Sequence, residues 1–376
     1  MGILDQTVEK VVFISDEQLH CHHESTLRGR YHKDTGIFNV YPPELAHTGD
    51  LLGSILPLGS APGRARLTGV LTDDGIEFFS YGAPVRHETY SLYQDVFSRN
   101  RGILESDVMA NSRAVILGCG SVGSLVALEL ARAGVGHFVL CDADVVEYHN
   151  LCRHQCGIDD VGGLKVNAIA KKIRNINPKA EVNTFAGIVQ NLPKTVLDDF
   201  CCPGKTVFVG CADNRAADVF ANRIAAYFGS AFLSIGFWER AYAGELFYHI
   251  PGKSMPCYGC ALGDGSSISA RAQANHHVYS TQESNEGLKF EPGISVDINF
   301  VTSIGIKLAL DILNLNNDTY IPRLLGHLQQ YTLVCNTSDP KIGGEMVEIF
   351  SYPLQVTTSL QVRFGPGCSG KCQNED

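Results

Sequence analysis

The residues of this 376-residue chain best suited to chemistry gather behind one turn. Gly118-Cys119-Gly120-Ser121-Val122-Gly123 is followed by Asp142, Asp144, Asn150, Arg153, Gln155 and Lys165, and further on by Asp213 and Asn214. A turn of this composition suits phosphate: Gly118 permits the tight bend, Gly120 lets backbone N–H groups approach an anion, and Gly123 lets helix and strand pack closely. A helix beginning there directs its partial positive charge at the same anion. Asp142 lies 19 residues beyond Gly123, where a carboxylate that holds ribose hydroxyls is expected. The glycines alone would also suit a dehydrogenase, but the dense polar set that follows is more than a dinucleotide needs.

The elements that must position these groups follow from the apolar periodicity. A strand from Ala114 to Leu117 runs into the turn, a helix continues to about Ala133, and a strand from His137 to Leu140 ends on Asp142. Lys165 to Asn177 reads as a helix, with Val166, Ile169, Ala170 and Ile173 on one face and Pro178 as its stop. A strand (Glu181 to Phe185), a short helix (Lys194 to Phe200), a strand (Thr206 to Cys211) and a helix to Ala226 come next. A strand from Ala231 to Gly236 and a hairpin-like Gly244 to Ile250 complete the run. Such alternation predicts an α/β, Rossmann-like, mostly parallel sheet with helices on both faces and ligand at the carboxyl ends of the strands. Asp142 and Asp213 both end strands, so they are expected to face one crevice.

Length allows two or three domains. Residues 1–90 read as a separate accessory or docking module, small and β-rich or α+β, in which strand-like runs alternate with Gly/Pro turns. His20-Cys21-His22-His23 within it is read as a solvated loop or helix turn, because four adjacent residues cannot all converge on one ion. The connector from Glu88 to Met109 is expected to be helical. A net charge of -10 argues against nucleic acid as a partner, and the absence of a long apolar run argues against a membrane span. No secretory signal is visible, so a cytoplasmic setting is expected. Most of the 13 cysteines read as small buried hydrophobes. Cys257 with Cys260, and Cys368 with Cys372, stand instead in short-spaced pairs within turns, and four thiolates can close a tetrahedral structural zinc site.

The ordered segments GCGSVGS, DADVVEYHNLCRHQ, DVGGLK, INP, GCADN and GELFYHIPGKSMPCYGC resemble the ThiF/MoeB/HesA group of adenylating enzymes, whose fold is shared with ubiquitin-activating enzymes. The resemblance covers about residues 93–372 and makes 91–376 an adenylation domain with a zinc-binding C-terminal tail. It implies ATP- and Mg²⁺-dependent adenylation of the C-terminal carboxylate of a ubiquitin-like or sulfur-carrier protein, commonly ending in Gly-Gly. Gly118, Gly120 and Gly123 would hold phosphates and Asp142 the ribose, with Asp144, Gln155 and Asn214 completing the nucleotide site. Asn150, Arg153 and Lys165 would bind the triphosphate and Asp213 the magnesium. Arg99, in the segment Phe97-Ser98-Arg99-Asn100, would be donated across a homodimer, with Arg101 in reserve. Arg99, Arg153, Lys165 and Asp213 form the implied catalytic set. In the second cysteine pair the family's C-x-x-C is C-x-x-x-C here, and Asp218 stands where a basic residue is common, with Arg215 as its compensation.

After adenylation three fates are open: transfer to a conjugating enzyme or another thiol acceptor, sulfur transfer, or direct attack by a nucleophile on the adenylate. The crossover segment 261–293 carries no cysteine, Cys119 lies too close to the phosphates to be an easy acceptor, and Cys152, Cys156, Cys201 and Cys202 are the remaining thiols, each read first as structural. Competing readings are adenylation of a ribosomally made peptide in natural-product biosynthesis, an NAD-dependent oxidoreductase, and an inactive scaffold.

Overall fold

The computed structural model describes residues 9–20, 23, 25–92, 94–212, 214–262, 292–336, 356–365 and 368. The chain divides into two compact units, Met1–Arg99 with Asn177–Lys179, and the remainder.

The first unit is a closed barrel. Its strands are β1 (Val11–Ser15), β2 (Ser25–His32), β3 (Ile37–Val40), β4 (Asp50–Leu56), β5 (Leu67–Thr72), β6 (Gly75–Ser80) and β7 (Ala83–Tyr90), with one short helix, α1 (Asp16–Leu19), after β1. They run β1-β3-β2-β4-β5-β6-β7, and β7 closes on β1 in parallel with Val11 opposite Arg86. Closure pairs what would otherwise be two edge strands. Val12, Ile14, Leu27, Phe38, Leu67 and Phe78 fill the interior. The β-rich expectation becomes all but entirely β. His20 ends the α1 turn, where its Nδ1 donates to the Asp16 carbonyl over 2.7 Å. Cys21 and His22 lie outside the described residues.

The second unit opens with α2 (Ser106–Ala110), then β8 (Arg113–Leu117), α3 (Ser121–Arg132), β9 (His137–Cys141), α4 (Lys165–Ile176), β10 (Glu181–Phe185), α5 (Lys194–Phe200), β11 (Thr206–Gly210), α6 (Arg215–Tyr227) and β12 (Ala231–Phe237). It continues with β13 (Ala243–His249), α7 (Tyr258–Leu262), α8 (Ser295–Leu313), β14 (Tyr331–Cys335) and β15 (Val356–Leu360). One sheet runs β10-β9-β8-β11-β12-β13-β14-β15, parallel from β10 to β12 and antiparallel beyond. The chain winds outward in one direction from β8 and in the other from β11, so the two strands flank a topological switch point.

Strand alternation sorts the apolar side chains onto two faces. Ala114 and Ile116 of β8, with Phe138 and Leu140 of β9, pack with Leu128 of α3, Ile169 of α4 and Leu308 of α8. Val115, Leu117 and Val139 pack on the other face with Leu197 of α5 and Ala221 and Ala225 of α6. This is the doubly covered sheet the alternation implies. The hairpin-like segment proves to be a central antiparallel strand, β13, buried at every residue.

The helical expectation for residues 88–109 is corrected. β7 extends to Tyr90, Ser98–Asn100 forms a 3-10 turn, and among the described residues of this stretch only Ser106–Ala110 is α-helical. Asp95 draws off the Ser91 N–H over 2.7 Å, and Gly102, at φ +76°, adopts a left-handed conformation that interrupts any helix. Among the described residues no helix is long and apolar enough to cross a membrane.

Candidate active site

The glycine turn sits at the switch point. Gly118 donates its N–H to Cys141 at the end of β9 over 2.8 Å, and Cys211, just past β11, donates to Leu117 over 2.8 Å. Gly118 has φ +92°, and a Cβ there would stand 2.9 Å from the Ala212 nitrogen. A Cβ on Gly123 would stand 1.8 Å from the Gly118 carbonyl oxygen. Gly120 differs: nothing lies within 4 Å of the position its Cβ would take. Gly118 and Gly123 are thus demanded by packing, and Gly120 leaves room for a ligand. Gly120 also caps α3 without a side-chain hydrogen bond, leaving the first-turn N–H groups without the usual capping acceptor.

Asp142 reaches back to this turn. Its Oδ2 accepts the Cys119 N–H over 2.6 Å and its Oδ1 accepts the Asp144 N–H over 2.8 Å. Each oxygen retains acceptor capacity for a hydroxyl. Lys165, the first residue of α4 and 9% exposed, donates from Nζ to Asp144 Oδ2 over 2.8 Å and from its backbone N–H to the Asp144 carbonyl over 3.0 Å. The pair is held at one end by a largely exposed carboxylate, so solvent screens it and the lysine can exchange partners.

The segment between them is built around Asn150. Its Oδ1 accepts the Glu147 N–H over 2.9 Å, and its carbonyl accepts the N–H groups of Arg153 and His154 over 3.0 and 2.8 Å. Arg153 Nη1 lies beside Gly293, 3.5 Å from where a Cβ would stand. Gln155 is tied to α3 through its N–H and Ser124 Oγ, 3.4 Å apart. Asn214 caps α6, its Oδ1 accepting the Ala217 N–H over 3.1 Å. Asp213, on which the magnesium expectation falls, lies outside the described residues. Arg99 belongs to the first unit and is exposed in the Ser98–Asn100 turn.

Two features escaped the sequence reading. Buried His154 bonds the Cys119 carbonyl of the glycine turn through Nε2 over 2.6 Å. No periodicity marks it, and its only signal was its place beside Arg153. Glu245, also buried, accepts Arg215 Nη2 over 3.1 Å, Trp238 Nε1 over 3.3 Å and the Tyr331 hydroxyl. Arg215 therefore pairs with Glu245, while buried Asp218 takes the Ser234 hydroxyl over 2.6 Å.

The thiols weighed as acceptors are mostly unsuited to nucleophilic attack. Burial, then the neighbouring Asp142, pushes the Cys119 thiol well up. Burial pushes Cys156 up to about 11 and Cys201 to about 12. Such thiols are almost wholly protonated near neutrality. Cys152 is exposed and leans its Sγ on the His149 carbonyl over 3.3 Å, and Cys202 is half-buried.

Cys257 opens the turn into α7, and its Sγ lies 3.7 Å from that of Cys260. The sulfurs of Cys257, Cys260 and Cys368 all fall within 4.8 Å of one another. Zn–S bonds of about 2.3 Å in a tetrahedron place sulfurs roughly 3.8 Å apart, so this donor set fits zinc chemistry and spacing. Burial pushes the Cys260 thiol up to about 11, so filling the site would release protons. Cys372 lies outside the described residues.

The sequence pattern defining the ThiF family matches residues 97–340. Among curated relatives, ubiquitin-like modifier-activating enzyme 5 of Gallus gallus is 34% identical over 164 residues, covering 39% of this chain and 38% of the relative. The Xenopus laevis protein of the same name is 30% identical over 182 residues, covering 43% of each. The chain thus spans about two fifths of the length of the curated relatives it matches. Among solved structures, the microcin C7 biosynthetic enzyme MccB in complex with N-formylated MccA superposes with a TM-score of 0.51 at 20% identity, covering 75% of this chain and 77% of that one. E. coli MccB with ATP gives 0.50 at 20% identity, covering 74% of each. At this identity the likeness concerns the fold.

Proposed function

The chain belongs to the ThiF family, and from that premise we propose that it is an ATP- and Mg²⁺-dependent adenylating enzyme that activates the C-terminal carboxylate of a ubiquitin-like or sulfur-carrier protein. The observation that carries this reading is the open space at Gly120, next to Cys119 whose N–H the Asp142 carboxylate holds, in a turn whose two other glycines are packed. A phosphate cradle and a ribose acceptor there share their switch point with Lys165 and Arg153, cations that a dinucleotide would not require.

In the reaction a carboxylate oxygen attacks the α-phosphorus of ATP. The new O–P bond forms as the bond from that phosphorus to the bridging oxygen breaks, and pyrophosphate leaves with the electron pair. Two anions must approach and a third must depart, so catalysis consists of positioning and charge neutralisation. Gly118, Gly120 and Gly123 with the α3 N-terminus cradle phosphate, and Asp142 accepts ribose hydroxyls. Asp144, Gln155 and Asn214 support this floor as backbone anchor, α3 tie and α6 cap. Lys165 leaves Asp144 for the triphosphate, joined by Arg153 and the Asn150 amide. Asp213 would hold magnesium, which would supply charge neutralisation. Arg99 would come from the partner in a homodimer and stabilise charge in the transition state. Cys257, Cys260, Cys368 and Cys372 would hold a structural Zn²⁺ that ties the tail to the adenylation unit.

Three of the five thiols, Cys119, Cys156 and Cys201, are kept protonated by desolvation, which favours transfer to a separate conjugating enzyme or other thiol acceptor. Among the described residues no cysteine is joined in a disulfide, which fits a cytoplasmic setting. A second reading, adenylation of a ribosomally made peptide, is favoured by the separate barrel, which offers a docking module beyond the adenylation unit. Incubation with Mg²⁺, ATP and either Gly-Gly proteins or short peptides tests both. An AMP adduct on a protein terminus supports the first, an adduct on peptides alone supports the second, and neither adduct under any condition rejects the reading.

A further inference from the structure

His154 is tied to the glycine turn, and both of its ring nitrogens have backbone partners. The Cys156 N–H lies 3.1 Å from Nδ1, and a backbone N–H can only donate. Nδ1 is therefore the acceptor, and the ring is the neutral tautomer that donates from Nε2 to the Cys119 carbonyl over 2.6 Å. The other end of the same residue is held too, since the Cys119 N–H donates to Asp142. With 7% of its surface exposed, His154 makes these bonds away from solvent competition.

The consequence falls on the next peptide bond. The Cys119 carbonyl and the Gly120 N–H belong to one planar trans peptide and point in opposite directions. Fixing the carbonyl on His154 therefore fixes the direction of the Gly120 N–H, at the glycine whose Cβ position is unobstructed. We propose that His154 is a positioning residue for phosphate binding, its neutral ring holding the Cys119–Gly120 peptide so that the Gly120 N–H is presented to a nucleotide phosphate. This role rests on the ATP reading above and adds to it a residue that reaches the phosphate only through the backbone.

The groups facing the ring set how the clamp responds to pH. Burial, the largest influence, holds the imidazole below its usual value. The backbone bond to Cys119, Asp142 and Asp160 favour protonation, and Lys165 opposes it. A proton on Nδ1 would face the Cys156 N–H, so one of the two bonds that orient the ring is lost as pH falls.

Calorimetry of Mg-ATP binding to the full chain tests this. His154→Gln keeps an amide N–H donor and cannot titrate, whereas His154→Leu keeps bulk and removes the donor. The leucine variant is expected to bind ATP about tenfold more weakly near neutrality, and the glutamine variant within about threefold of wild type. Between about pH 7.5 and 5.5, wild-type affinity should fall more steeply than that of His154→Gln, a difference that removes the titration of ATP itself. Wild-type affinity in the leucine variant, a glutamine variant as weak as leucine, or superimposable pH profiles would each overturn the role. Should the leucine variant not fold, the comparison of pH profiles decides alone. A wild-type chain that binds no ATP at any pH would overturn the ATP reading and this role with it, while normal binding with indifferent variants overturns the role only.

Discussion

The backbone N–H of Cys119 donates to Asp142 Oδ2 over 2.6 Å. The carboxylate expected to serve ribose is thereby also a strut of the phosphate turn, and the second strand of the unit reports its position to the first. Asp142→Ala should cost about 1–3 kcal/mol of stability, through two backbone N–H groups left unpaired, as well as nucleotide affinity. Thermal unfolding with and without ATP checks this: an alanine variant that loses ATP binding at unchanged Tm would show that the strut carries no weight.

The three glycines of the turn should separate on substitution. Gly123→Ala places a Cβ 1.8 Å from the Gly118 carbonyl oxygen and must displace α3 from the turn. We expect destabilisation of several kcal/mol, as for overpacking against backbone. Gly120→Ala meets open space at φ -74°, so the fold should survive with Tm nearly unchanged. Its methyl group instead occupies the ligand's approach, and ATP affinity should fall by about tenfold or more. Equal loss of stability in both variants would contradict this assignment of roles.

Much of the second unit was legible because its signals are local. Ala114–Leu117, the glycine turn, α3 and β9 declare themselves by alternating and helical periods bounded by Gly118 and Gly134, and β10 and α5 carry clear ends. The barrel was only half legible. β2 alternates buried Leu27 and Gly29 with Arg28 and Arg30, and β7 is largely exposed along its length, so neither presents an apolar run. Parallel closure of β7 on β1 is a long-range pairing that no local pattern encodes. Within the site, residue types and order were visible, but hydrogen-bond direction was not. Beside the ribose role expected of it, Asp142 also braces the turn; beside the nucleotide role expected of it, Asn214 also caps α6; and His154 became visible only when Cys156 fixed its tautomer.

Stability should decline on mild acidification. Burial holds both His154 and His249 below the ordinary imidazole value. Between the folded value and about 6.5 the unfolded chain binds more protons than the native one, so stability rises with pH across that window. The contribution is complete above about pH 6.5 and is lost as pH falls below it. Denaturant midpoints should drop between about pH 7.5 and 5.5, and His154→Gln should flatten part of the slope. A midpoint that rises on acidification would contradict the sign.

The cysteine cluster should bind one structural zinc per chain. Metal analysis of the purified chain should find it, and Cys257→Ser should release it and lower Tm by several degrees. Loss from Cys372→Ser as well would identify the fourth ligand. Zinc retained in Cys257→Ser would remove this site from the account.

Carboxylate-dependent exchange of labelled pyrophosphate into ATP tests the central claim most directly. With a protein or peptide ending in a free Gly-Gly carboxylate, the wild-type chain should incorporate label only when that partner is present. Lys165→Ala should reduce the rate by about 10²-fold or more, the scale of removing one charge-stabilising group from a reaction centre. No exchange with any carboxylate partner, together with tight binding of NADH, would contradict the claim and return the glycine turn to a dinucleotide.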